Sequence, residues 1–267
     1  MASILNNIGS LGAARMLSVN DRNLAKTVQR LTTGRRINNA ADDAAGLVIS
    51  NKLGSDVRTA AQGARNANDG VSYLQTADGV LDEVTNLLQR AAELAQQAAS
   101  GTSGADLSTG KTALNAEFQN IVTTLADMQA NTTFNAASVF GGSTVSVALG
   151  GYTAVAISVG TFNSLAGTDN LTTAANATAA AAKINTELNA VSALRGTIGA
   201  SQSQLNSYSN TLGVEGQNWT ASKSQIQDAS IADEVVNMSK FQILNQSGIS
   251  AMGKSNQTAQ SIMSLMQ

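Results

Sequence analysis

The segment from Leu31 to Leu47 reads LTTGRRINNAADDAAGL and sets Arg35 beside Arg36 and Asp42 beside Asp43. Paired carboxylates can divide acid and base work, and cations beside a glycine can receive a phosphate. Neither chemistry fits this spacing. Neighbouring residues do not share a helical face, and Gly34-Arg35-Arg36 lacks the glycine repeat of a phosphate loop. The chain has no histidine and no cysteine, which removes the usual general base, the imidazole and thiolate metal ligands, thiol nucleophiles and disulfides. No second spaced acidic cluster compensates. We therefore expect no catalytic residue, no metal site and no cofactor. A formal charge of -2 without a concentrated basic surface also argues against a nucleic-acid partner.

The same residues read more simply as two helix ends. Gly34 suits the left-handed position that follows a helix, and Arg35 and Arg36 suit the negative end of its dipole. Asn38 or Asn39 is then expected to cap a new helix, with Asp42 and Asp43 in its first turns. On this reading Arg35, Arg36, Asp42 and Asp43 are polar contacts of a joint, within one chain and between copies.

The elements that flank the joint are long helices. Proline is absent, and small and aliphatic residues raise the hydrophobic share to 43% while aromatics hold only 3%, so packing must rely on close helix approach. Leu74, Ala77, Leu81, Val84, Leu88, Ala91, Ala95 and Ala98 alternate by three and four, as along one helix face. Ile184, Val191, Ile198, Leu205, Leu212, Trp219 and Ile226 recur every seven residues, a rod of about 60 Å that needs a partner along its length. Leu17, Leu24 and Leu31 repeat likewise near the start, and Ile231, Val235, Met238, Ile249, Met252, Met263 and Met266 form a stripe near the finish. These end segments are expected to pair. A shorter helix is expected over Thr112 to Met128. After it, Val145, Val147 and Leu149 alternate, break at Gly150 and Gly151, and resume at Val155, Ile157 and Val159, as in a small hairpin. The opening residues lack a basic leader and a continuous apolar run, so export would use a route other than the general signal. The terminal stripe carries only Lys240 and Lys254 as cations after Lys223, too few for a membrane-surface helix. Self-association accounts for it better, and identical contacts that do not close make a helical filament.

Several blocks resemble bacterial flagellin: LTTGRRINNAADDAAGLVISNKL at Leu31 to Leu53, NANDGVSYLQTADGV at Asn66 to Val80, LLQRAAELAQQAASGT at Leu87 to Thr102, TTFNA at Thr132 to Ala136, SKSQIQDASIADEVVNMSKFQIL at Ser222 to Leu244, and the closing SIMSLMQ. The resemblance implies a mainly α fold, a coiled-coil-like bundle of long paired helices with a small β-hairpin region, reduced to the polymerising core without large outer domains. It implies inner filament-core helices over 1–33 and 231–267, connecting segments over 34–45 and 222–230, and an outer helical layer over 46–221 with a strand-rich part at about 132–170.

What the resemblance implies for single residues is inner-layer packing by Leu17, Leu24, Leu31, Ile249, Met252, Met263 and Met266, and outer-layer packing by Leu81, Leu88, Ile198 and Leu205. It also implies a motility filament of identical subunits outside the cell, with no catalysis. Further implied partners are the flagellar cap, the hook-filament junction proteins, an export chaperone and the type III export apparatus. An innate immune receptor is another, with Arg90, Leu94 and Glu117 as its candidate contacts.

Overall fold

The computed structural model describes residues 7–100, 107–162, 165 and 169–265, apart from the side chains of 107, 108, 259 and 262–265. In chain order the elements are α1 (Ile8–Thr33), α2 (Ala44–Ala99), α3 (Leu107–Asn131), β1 (Thr133–Phe134), β2 (Ala137–Ser138), β3 (Thr144–Leu149), β4 (Tyr152–Ser158), α4 (Ala174–Gln227) and α5 (Ile231–Leu265). The chain is thus mainly α-helical with two small antiparallel hairpins. Internal contacts separate two units: one holds the described residues up to Val57 and from Gln217 onward, the other holds Arg58–Gly216.

Within Arg58–Gly216, the facing stretches of α2 and α4 run antiparallel. Arg195 reaches Asp78 at 3.0 Å and Asp82 at 2.8 Å, and Ser209 donates to Asn68 at 3.3 Å. Their apolar stripes close the core: Leu74, Leu81, Val84 and Leu88 are fully buried, as are Ile184, Val191 and Leu205. α3 adds Phe118, Ile121, Val122 and Leu125. Asn115 on α3 accepts the Leu171 amide at 2.8 Å, which fixes the approach to α4. Thr173 then caps α4 by accepting the Asn176 amide at 3.1 Å.

The β3–β4 hairpin pairs Thr144 with Ser158 and Leu149 with Tyr152, leaving Gly150-Gly151 as a two-residue loop. Gly150 supplies the positive φ, 71°, that the first residue of such a loop requires. Alternation sends Val147, Leu149, Val155 and Ile157 to the core while their neighbours face out. α2 receives the hairpin at two glycines. A methyl on Gly63 would stand 2.9 Å from the Leu149 carbonyl group, and one on Gly70 would stand 3.0 Å from Leu205 and Val147.

Helix lengths differ from the sequence reading. α3 covers Leu107–Asn131 rather than 112–128, and α4 starts at Ala174, ahead of its heptad at Ile184. The alanine-rich run before Ile184 is helical because alanine has the highest helix propensity, and Ala177 and Ala180 are buried in it. At its other end α4 continues to Gln227, so the link to α5 is 228–230 rather than 222–230.

Gly63→Ala should lower stability by about 1–3 kcal/mol through overpacking, although glycine to alanine inside a helix ordinarily adds about 1 kcal/mol. Gly79→Ala should follow the ordinary rule, since nothing lies within 4 Å of that position. Thermal unfolding of the soluble subunit separates the two; shifts of the same sign would count against this seating of the hairpin.

Candidate functional site

In the unit that contains both ends of the chain, α1 and α5 pack as an antiparallel pair. Arg30 meets Glu234 at 3.2 Å, Asn245 donates to Asp21 at 2.7 Å, and Asn7 donates to the Ser255 carbonyl at 3.3 Å. Asn7 also caps α1 by accepting the Ser10 amide at 3.1 Å. The seam follows a heptad on each side. On α1 it runs through Ser10, Ala13, Leu17, Asn20, Leu24, Thr27 and Leu31; on α5 through Glu234, Met238, Phe241, Asn245, Gly248, Met252 and Ser255, all half-buried or buried. Gly248 brings the helices close, with Leu17 at 3.5 Å from where its Cβ would stand.

This seam is only partly apolar, and the helices keep large apolar side chains on their other sides. Ile8 is 72% exposed, Met16 70%, Val236 66% and Ile243 64%. Ile8 stands two residues from the seam position Ser10, and Val236 two residues from Glu234 and from Met238, which turns each about 200° away from the partner helix. Ile249, expected in the packing set, is 58% exposed and lies outside the intrachain seam. Leu17, Leu24, Leu31 and Met252 are half-buried within it. Met263 has no described side chain, and Met266 lies outside the described residues. Asn7, Ile8, Ser10, Leu11, Ala14, Met252 and Asn256 line an open groove of about 340 Å³ at the far end of the pair.

The near end is a joint. α1 stops at Gly34, which adopts φ 68° and donates its amide to the Arg30 carbonyl at 2.8 Å. The chain then pairs with the α4–α5 link: the Arg36 amide donates to Gln227 at 2.7 Å, and the Ala229 amide donates to Gly34 at 3.0 Å. Arg35 and Asp228 form a single antiparallel bridge. The Arg36 guanidinium caps the end of α4 by donating to the Ile226 carbonyl at 2.9 Å. Ser230 starts α5 by accepting the Asp233 amide at 3.4 Å.

The asparagines and aspartates exchange the roles expected from sequence. Asp42 and Asp43 precede α2 rather than filling its first turns. Asp43 is the cap, accepting the Gly46 amide at 2.9 Å, and Gly46 leaves room for Asp43 and the buried Ile37. Asp42 reaches back to the amides of Asn39 at 3.1 Å and Asn38 at 3.3 Å. Neither asparagine caps α2; the Asn38 side chain donates to the Arg35 carbonyl at 3.0 Å. Among the described residues, the ion pairs here are Lys26 with Asp42 at 3.9 Å and Arg30 with Glu234. Arg35 and Arg36 keep exposed side chains. Sequence reasoning missed Arg30 and Glu234, whose separation of 204 residues leaves no local signal.

Of the other singled-out residues, Leu81, Leu88, Ile198 and Leu205 are buried in the α2–α4 core of Arg58–Gly216. Arg90 pairs with Glu117 at 2.8 Å and Glu93 at 3.0 Å on the surface. Leu94 is 1% exposed, so only Arg90 and Glu117 of that trio present side chains to solvent. Among the described residues no three carboxylates converge on a metal position.

The Asn39 amide, foremost, holds the Asp42 carboxyl below the usual carboxylate value, against its burial and with help from the Asn38 amide, Lys26 and Arg30. A depressed carboxylate contributes fully above its unfolded value, about 3.9, and the contribution is lost as pH falls through the lower folded value. Asp42→Asn should therefore lower the unfolding midpoint at neutral pH, and the gap from the parent should close below about pH 4. A gap unchanged between neutral and acid buffers would contradict this role.

The bacterial flagellin N-terminal helical region matches residues 4–144, and the bacterial flagellin C-terminal helical region matches residues 181–266. A flagellin of Halalkalibacterium halodurans is 32% identical over 98% of this chain and 99% of its own length. A flagellin of Treponema pallidum is 30% identical over 98% and 99%. The crystal structure of Bacillus cereus flagellin is similar with a TM-score of 0.50 and 26% identity, covering 55% of this chain and 88% of that one. With its two ends clasped into one helical pair and both family regions matched in order, the chain belongs to the bacterial flagellins, the structural subunits of the extracellular flagellar filament.

Proposed function

We propose that α1 and α5 build the inner layer of the filament, over 1–33 and 231–267, and that most of 46–221 builds the layer around it. The observation that carries this reading is the apolar surface left on the α1–α5 pair. Its own seam includes Asn20, Thr27, Asn245 and Ser255, while Ile8, Met16, Val236 and Ile243 face solvent. Burying such side chains is worth about 1.5–3 kcal/mol each. Two apolar sides on one rod suit a subunit surrounded by copies of itself, and contacts that repeat without closing extend indefinitely.

In this arrangement Arg35 and Arg36 are available for polar contacts between subunits, since their side chains are exposed at the joint. Export is by the type III apparatus with a chaperone on the α5 segment, and assembly occurs beneath the cap from the hook-filament junction; family membership supports these partners. Recognition by an innate immune receptor would centre on Arg90 and Glu117.

A double variant, Val236→Asp with Ile243→Asp, tests the reading. Both positions are exposed in the single subunit, so its helix content and unfolding midpoint should stay near the parent's. Seeded with filament fragments, the parent should polymerise and sediment, whereas the variant should stay soluble because assembly would bury unpaired charges. Equal sedimentation of the two would overturn the assignment of this face.

A further inference from the structure

The chain has only three tyrosines, and two of them touch. Tyr73 is 4% exposed and donates to the Val139 carbonyl at 3.2 Å. Tyr152, which opens β4, and Tyr208, on α4, are half-buried at the surface of Arg58–Gly216 with ring centroids 5.3 Å apart and planes at 51°. The Tyr152 hydroxyl donates to Glu215 Oε1 at 2.5 Å. Glu215 stands seven residues beyond Tyr208 on α4, hence on nearly the same helix face.

This places a phenol with its own proton acceptor against a second phenol. The hydrogen bond to Glu215, with burial and the carboxylate charge, raises the Tyr152 pKa above the ordinary phenol value. At neutral pH Tyr152 therefore keeps its proton, and the proton already points at a carboxylate. Loss of an electron from the ring can release that proton to Glu215 without diffusion of a base. We propose that Tyr152 and Tyr208 form an oxidative cross-linking site, coupled into a dityrosine within one chain by a one-electron oxidant of the peroxidase class that consumes a peroxide.

The step balances. Tyr152 loses an electron to the oxidant and its proton to Glu215, and Tyr208 loses an electron to the oxidant and its proton to water. The two phenoxyl radicals form a carbon–carbon bond between ring positions ortho to the hydroxyls. The hydrogens at those carbons then return to the phenol oxygens. The two electrons and two protons reduce one peroxide to water, so the linked chain is lighter by two hydrogens. The link ties the start of β4 to α4 and holds the hairpin on its helix.

The test uses the soluble full-length subunit with a haem peroxidase and hydrogen peroxide, and it does not depend on filament formation. Dityrosine fluorescence should appear, and peptide mass analysis should find Tyr152 joined to Tyr208 in unpolymerised chain. Tyr208→Phe should lower the yield at least about tenfold, as when an intramolecular encounter is replaced by a bimolecular one. Glu215→Gln, which keeps both rings, should slow the reaction at neutral pH. No dityrosine, or a yield unaffected by Tyr208→Phe, would overturn the site; an unchanged rate in Glu215→Gln would overturn the proton transfer.

Discussion

The structure depends on a clasp between two remote segments. Around Gly34 to Arg36 the backbone exchanges hydrogen bonds with Gln227 and Ala229, and the Arg36 guanidinium closes the end of α4. These contacts meet where α1 stops and α5 starts, so they set the register of the antiparallel pair that follows. Arg30 with Glu234, just beyond the clasp, reinforces that register. Glu234 has its second oxygen, Oε2, buried with no hydrogen-bond partner among the described residues, so the pair does more for specificity of alignment than for stability. A chain with no proline and few aromatics has few other means of fixing how two long rods meet.

From that register follows an unusual division of side chains. Where α1 and α5 face each other, the heptad positions include asparagine, threonine, serine and glycine, while several of the larger aliphatics point elsewhere. A monomeric helical pair would place them the other way round, because contiguous exposed apolar surface is a liability for a solitary soluble protein. In Arg58–Gly216 the distribution is the ordinary one: leucines and valines fill the core, and glycines on α2 admit a hairpin. Arg58–Gly216 buries its large aliphatics within the chain, whereas the α1–α5 pair leaves several of its own in solvent.

Much of this was legible in the sequence, for identifiable reasons. Gly34 followed by two arginines correctly marked a helix end, since the left-handed conformation and the dipole both leave compositional traces. The hairpin around Gly150-Gly151 was legible from its alternation of two. The capping of α2 was misassigned because asparagine and aspartate serve equally well as caps, and only the backbone path distinguishes Asp43 from Asn39. The tight β1–β2 turn falls in the TTFNA block that the resemblance supplied, and local composition does not signal it, because Asn135 and Ala136 both take positive φ, 50° and 64°, a conformation that alanine rarely adopts. Ile249 entered the packing set through the resemblance, and its place in an apolar stripe signals burial without saying whether the partner lies in the same chain.

If the clasped α1–α5 pair is the inner element of the filament, its outward apolar faces are covered by other subunits. A reconstruction of filaments assembled from this chain, resolved to side chains along both helices, tests it directly. The pair should lie nearest the filament axis, with Ile8, Met16, Val236 and Ile243 packed against neighbouring copies. A filament with the pair on its outer surface and those residues open to solvent would contradict it.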